Sequence, residues 1–304
     1  MKATEASLLN ILGAVSQFII PTYQRTYSWT QKECEQLWAD ILRAGSSDEI
    51  GVHFIGSGVH IDDGLGNIAL QAPKLVIDGQ QRLTTLTLLL TALADVLSEL
   101  PEEEQEPLDG FSLAKIRQYY LTNPLEKKER YFKLLLSDID RATLMAVVDP
   151  GVAAAPQEPT IRIQQNHAFF LEKLRDPASD LAVVCRGISK LLVVDVALAR
   201  DQDNPQLVFE SMNSTGRELS QADLIRNFVL MGQPPDLQER LSIRHWRPME
   251  LAYSFGGACR YSRRTTAAAS SAPSCAITSP PSRPPRCSCS IRRAPWRGFP
   301  PASL

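Results

Sequence analysis

The chain has no hydrophobic run of the length a membrane span needs. The longest candidate, Leu83 to Leu97, is interrupted by threonines and by Asp95, and a spanning helix takes about 20 apolar residues. A secretory leader is not expected either. Glu5 stands where a basic n-region would lie, and Leu8, Ile11, Leu12 and Val15 follow helical spacing, so a short amphipathic helix is expected at about Ala6 to Val15. The expected location is cytoplasmic. Cysteine is scarce in the body, where only Cys34 and Cys185 occur, so reduced thiols are expected rather than a disulfide scaffold. The chain has four histidines and none after His245. His53 and His60 read as strand residues with no third ligand in view, which argues against a zinc site. No G-x-x-x-x-G-K-[ST] string occurs, which excludes a Walker A loop.

Lysine and acids are missing from one region only. From Leu251 to Leu304 there are eight arginines and no Lys, Asp or Glu; the first 250 residues then carry 24 bases against 34 acids, a net of −10. This last stretch is dominated by Ser, Pro, Arg, Ala and Cys, and lacks the apolar periodicity that would offset the entropy of ordering it. Three readings compete: a basic disordered tail that grips an acidic partner, a cysteine metal site of unusual spacing, and an out-of-frame translation. The composition favours the third, so function is to be sought before about Tyr253.

The 44% of apolar residues is enough for a substantial core. Strands are expected at Phe18 to Ile20, in "VHFIGSGVHID" as a pair or as one strand with a glycine bulge, in "KLVID" and in "LLVVDVAL". Helices are expected from Gln31 to Arg43, capped by Thr30 and Glu33, from near Gln80, and at Ser112 to Leu121, Tyr131 to Leu136 and Ile161 to Leu174. Two more are expected, one ending at Met212 and one from Ser220 to Met231. The fold class is α+β, a small mixed sheet followed by a helix-rich region. The expected division is 1–105, 106–253 and the tail 254–304.

The chemistry concentrates in "LVIDGQQRLTTL". Asp78 ends a strand, Gly79 permits a sharp turn, and Gln80, Gln81 and Arg82 open a helix. A helix N-terminus presents unpaired N–H groups and the positive end of its dipole, which suits phosphate. Gly79 lets backbone approach the ligand, Arg82 can fork onto phosphate oxygens, and Gln80 and Gln81 can donate to phosphate or read a base or sugar edge. Asp78 can hold Mg2+, a ribose hydroxyl or a water. The bland reading has Asp78 capping the helix and pairing with Arg82, with both glutamines in solvent. Gln24 and Arg25 follow a proline after a strand and either face the same ligand or serve packing, Arg25 by pairing with a carboxylate such as Asp78. Asn213 begins a polar turn ending at Gly216, and Asp223, Arg226 and Asn227 share a helix face.

Four strings in order, "IPTYQRTYSW", "HFIGSGVH", "LVIDGQQRLTTL" and "VFESMNSTGRELSQADLIRNFVLM", resemble the N-terminal domain of GmrSD-type, modification-dependent restriction endonucleases over roughly Leu8 to Tyr253. The resemblance implies a fold similar to ParB and sulfiredoxin. It implies a DGQQR loop that binds a nucleoside triphosphate with Mg2+, its hydrolysis left open, and a role against foreign or modified phage DNA. On this reading Asp78, Gln81 and Arg82 are the catalytic candidates and Asp78 the metal ligand. Gly79, Gln80, Gln24, Arg25, Asn213 and Arg226 are the binding candidates. It further implies an HNH nuclease domain on the same chain or on a partner, and no such histidine set follows the helical region here. The expected function is a nucleotide-binding sensor module of a restriction system, and two other classes stand beside it: a non-enzymatic nucleic-acid- or partner-binding module, and an inactive remnant of a frameshifted gene.

Overall fold

A computed structural model of the chain describes residues 1–15, 17–62, 72–199, 203–213 and 220–249. The expected tail, 254–304, and the turn residues after Asn213 up to Gly216 lie outside the described residues. Among the described residues six strands form one mixed sheet: β1 (Lys2–Ser7), β2 (Phe18–Ile19), β3 (His53–Asp62), β4 (Lys74–Asp78), β5 (Leu134–Leu135) and β6 (Leu191–Leu198). Their order is β1-β6-β3-β4-β2-β5. β3 runs antiparallel to β4 and parallel to β6, so the centre of the sheet brings together segments far apart in sequence. The class is α+β, as the sequence implies.

The helices are α1 (Leu8–Ala14), α2 (Gln31–Ser46), α3 (Gln80–Ser98), α4 (Leu113–Lys115), α5 (Asp138–Val148), α6 (Ile161–Arg175), α7 (Leu181–Ser189), α8 (Pro205–Asn213), α9 (Gln221–Leu230) and α10 (Pro235–Leu241). α3 is the core helix. Leu86, Leu88, Leu89, Leu90, Leu93 and Leu97 are fully buried, each contributing about 1.5–3 kcal/mol. Its threonines are buried as well, because Thr84, Thr85, Thr87 and Thr91 each donate to the carbonyl four residues back. That is how a helix with so many hydroxyls sits in a core without orphaned donors. A second apolar cluster includes Tyr23, Val59, Ile61, Ile77, Val196 and Leu198, and it also takes Phe209 of α8 and Leu230 of α9. Among the described residues no helix is long and apolar enough to cross a membrane.

The capping boxes at Thr30–Glu33 and Ser220–Asp223 are both present, and β3 is a single bulged strand. Other expectations fail for physical reasons. Lys2–Ser7 is an edge strand, held by backbone pairing to β6 rather than by burial, so no apolar alternation announces it. The helix therefore starts at Leu8. The apolar run expected as a helix at Tyr131 to Leu136 is a 3-10 turn, Lys128–Tyr131, followed by β5. Phe132, Leu134, Leu135 and Leu136 are all buried, and a short run buried all round carries no period by which to tell strand from helix. Cys34 and Cys185 are buried free thiols, and burial pushes them up to about 11 and about 12.

Candidate functional site

The site grows from the junction of β4 and α3. Gly79 sits at the N-cap with φ of +97° and, as a glycine, brings no side-chain cap to the helix. Glycine is required here twice over. The φ is left-handed, and a Cβ would stand 3.3 Å from both Gly58 Cα and the Ser57 carbonyl oxygen. The turn is thus pressed against β3.

Arg82 explains the irregularity of β3. Its Nη1 donates to the Ile55 carbonyl at 2.7 Å, and its Nη2 donates to the Ser57 carbonyl. Gly56, at φ of +113°, lies between these two carbonyls, and a Cβ there would collide with Nη1. The I-G-S-G string therefore forms a bulge that presents two carbonyls to one guanidinium. The Asp78 Oδ2 stands 3.6 Å from Nη2. Burial pushes the guanidinium below its ordinary range, and the Asp78 charge works against that shift.

The two glutamines turn the other way, toward the loop from Pro21 to Thr30. Gln81 accepts at Oε1 from the amides of Ser28 at 2.8 Å and Trp29 at 3.3 Å, and its Nε2 donates to the Thr26 carbonyl at 3.2 Å. Gln80 donates to the Arg25 carbonyl at 3.0 Å. Both are buried, so neither lies in solvent as the bland reading has it. Gln24 is also buried and donates to the Ile77 carbonyl at 2.7 Å. Arg226 of α9 donates to the Thr22 carbonyl at 2.9 Å. Asp140 of α5 accepts from the Tyr27 amide at 2.6 Å, and Asn166 of α6 donates to the Tyr27 hydroxyl and the Trp29 carbonyl. This loop is the hub on which four helices converge.

Gln24, Arg25, Gln80, Gln81 and Arg226 are thus brought together around one loop, chiefly through backbone contacts. Asp78, Gly79 and Arg82 lie together on a small cleft of about 60 Å³ that is also lined by Leu8, Ile11, Gly58, His60, Val76, Leu83 and Asp195. Asn213 is the last residue of α8; its side chain is outside the described residues.

Sequence reasoning missed the far end of that cleft. His60 Nε2 is 2.8 Å from Asp195 Oδ1 and 3.0 Å from Lys74 Nζ. Burial works to raise the Asp195 carboxyl, but the His60 hydrogen bond and the charges of His60 and Lys74 outweigh it and hold it below the usual range. The signal was available, since an aspartate in the middle of "LLVVDVAL" is out of place in a buried strand unless it has partners. Among the described residues no group of three or more His, Cys, Asp or Glu could hold a metal ion. A Mg2+ at Asp78 would need phosphate and water to complete its shell, which is its usual habit.

These features define an α+β domain with an uncapped strand–glycine–helix junction opening on a cleft. The chain matches the model of the family described as GmrSD restriction endonuclease, N-terminal domain, over residues 8–230. It belongs to that family. A comparison with curated proteins found no match.

Proposed function

We propose that this chain is the nucleoside-triphosphate-binding sensor of a restriction system directed at foreign or modified DNA, acting with a separate nuclease subunit of HNH type. Family membership supports the restriction role. The observation that carries the nucleotide reading is the N-terminus of α3: its N-cap is a glycine that brings no capping side chain, and Asp78, Gly79 and Arg82 line the cleft beside it. The α3 amides and the Arg82 charge would neutralise phosphate, while Asp78 would hold one position of a phosphate-bound Mg2+ or orient a water. Mg2+ would supply further charge neutralisation of the triphosphate. The glutamines would act by fixing the loop that frames the junction, Gln81 most of all. Residues 1–105 with β6 would hold the nucleotide, and the helices of 106–253, joined to the hub loop, would sense its occupancy.

Titration calorimetry of the folded chain with each of the four nucleoside triphosphates and Mg2+ tests this reading. Saturable heat with at least one of them is expected. Silence with all four would overturn it. The purified chain alone is expected to leave modified phage DNA intact, and metal-dependent cleavage by it would refute the need for a separate nuclease.

A further inference from the structure

Gly58 lies between the two polar ends of the cleft. In the sheet register it stands opposite Asp195 of β6, and its neighbour Val59 stands opposite Asp78 of β4. Strands are spaced about 4.8 Å apart, so the two aspartates flank a strip of β3 with no side chain at its centre. Among the described residues, a Cβ built on Gly58 meets nothing within 4 Å. Interior strand glycines often mark a place where a ligand comes close to backbone. Asp195 commits Oδ1 to His60, whereas its Oδ2 is 4.0 Å from Lys74 Nζ, beyond hydrogen-bond distance, and so retains accepting capacity. His60 is 4% exposed, lines the same cleft, and its Nδ1 has no partner among the described residues.

We propose that Gly58 is the floor under the sugar of a bound ribonucleotide, and that Asp195 Oδ2 accepts a hydrogen bond from its 2′-hydroxyl. The inference rests on the nucleotide reading above. The phosphates then lie toward Gly79, and the sugar lies across β3 toward β6. His60 and Lys74 are positioning residues that hold the Asp195 carboxylate ionised and oriented. The cleft thereby selects ribonucleotides over deoxyribonucleotides, which suits a sensor that must respond to nucleotide in the presence of DNA.

The test titrates the full chain with ATP, GTP, CTP and UTP, their 2′-deoxy forms and inorganic tripolyphosphate, all with Mg2+. The best ribonucleotide is expected to bind roughly tenfold more tightly than its deoxy form, the value of one hydrogen bond to a charged group. Asp195→Asn should bring the two affinities together. Gly58→Leu, its folding checked by circular dichroism, should abolish nucleotide binding while sparing tripolyphosphate, since a Cβ at Gly58 meets nothing within 4 Å among the described residues and the backbone there is unstrained. Equal affinity for ribose and deoxyribose forms in the unmodified chain, or full nucleotide affinity in Gly58→Leu, overturns the sugar assignment and leaves the nucleotide reading standing. Failure of tripolyphosphate and every nucleotide to bind overturns both. If Asp195→Asn unfolds, the Gly58→Leu arm decides alone.

Discussion

The two sides of the α3 N-terminus use the same short motif in opposite ways. On the loop side, Gln80 and Gln81 are spent on backbone groups of residues 25–29. On the cleft side, Asp78 and Gly79 border open space and Arg82 stands between, half-committed to β3. Polar residues at a strand–helix junction can therefore build a site without facing its ligand. Only their partners reveal which of them build and which can bind.

Breaking the loop side should have the largest effect on stability. Gln81→Leu orphans two amides and a carbonyl, and is expected to cost about 3 kcal/mol, or roughly 6–12 °C in Tm. Thermal unfolding by circular dichroism checks this. Arg82→Ala should be intermediate and mixed. Losing two charge-assisted bonds to β3 is expected to cost about 2 kcal/mol of stability, and losing its charge to weaken Mg·NTP binding about tenfold. Melting and calorimetry on the same variant measure the two parts. Asp78→Asn should move Tm little, since its pairing with Arg82 is long and partly exposed, while weakening Mg·NTP binding by at least about tenfold.

The smallest effect concerns pH. The Asp195 carboxyl is held below its ordinary value in the folded chain. Its stabilising contribution is therefore full above the unfolded value of about 3.9 and is lost as pH falls through the folded value. Asp195 is only half-buried, so the contribution should be under about 1 kcal/mol. Asp195→Asn is expected to flatten the acid limb of urea midpoints measured below about pH 4 and to leave the neutral region unchanged.

Much of the fold was legible because local signals were strong. Capping boxes announced α2 and α9, and an abrupt change from β-rich to leucine-rich sequence at Gly79 marked the β4–α3 junction. β1 was illegible because a polar edge strand exists only through its partner, β6. β5 was illegible because an apolar run buried all round has no period. The site was half legible. Asp78, Gly79 and Arg82 were placed by their position between two apolar elements. The roles of Gln24, Gln81 and Arg226 depend on the loop of residues 21–30 folding against α3 and α9, a contact between segments up to 204 positions apart. A glycine bulge in this stretch was one of two expected readings, but its place at Gly56 and its purpose, presenting two carbonyls to Arg82, emerge only when β3 and α3 meet.

The division between builders and binders is tested most directly by thermal unfolding of three proteins with and without saturating Mg·NTP. A ligand at about 100 times its Kd adds roughly 2.7 kcal/mol, a shift of several degrees. The unmodified chain should show that increment. Gln81→Leu should start from a much lower Tm yet still gain from nucleotide, whereas Asp78→Asn should start near the unmodified Tm and gain little. Asp78→Asn with a full nucleotide increment would contradict the account.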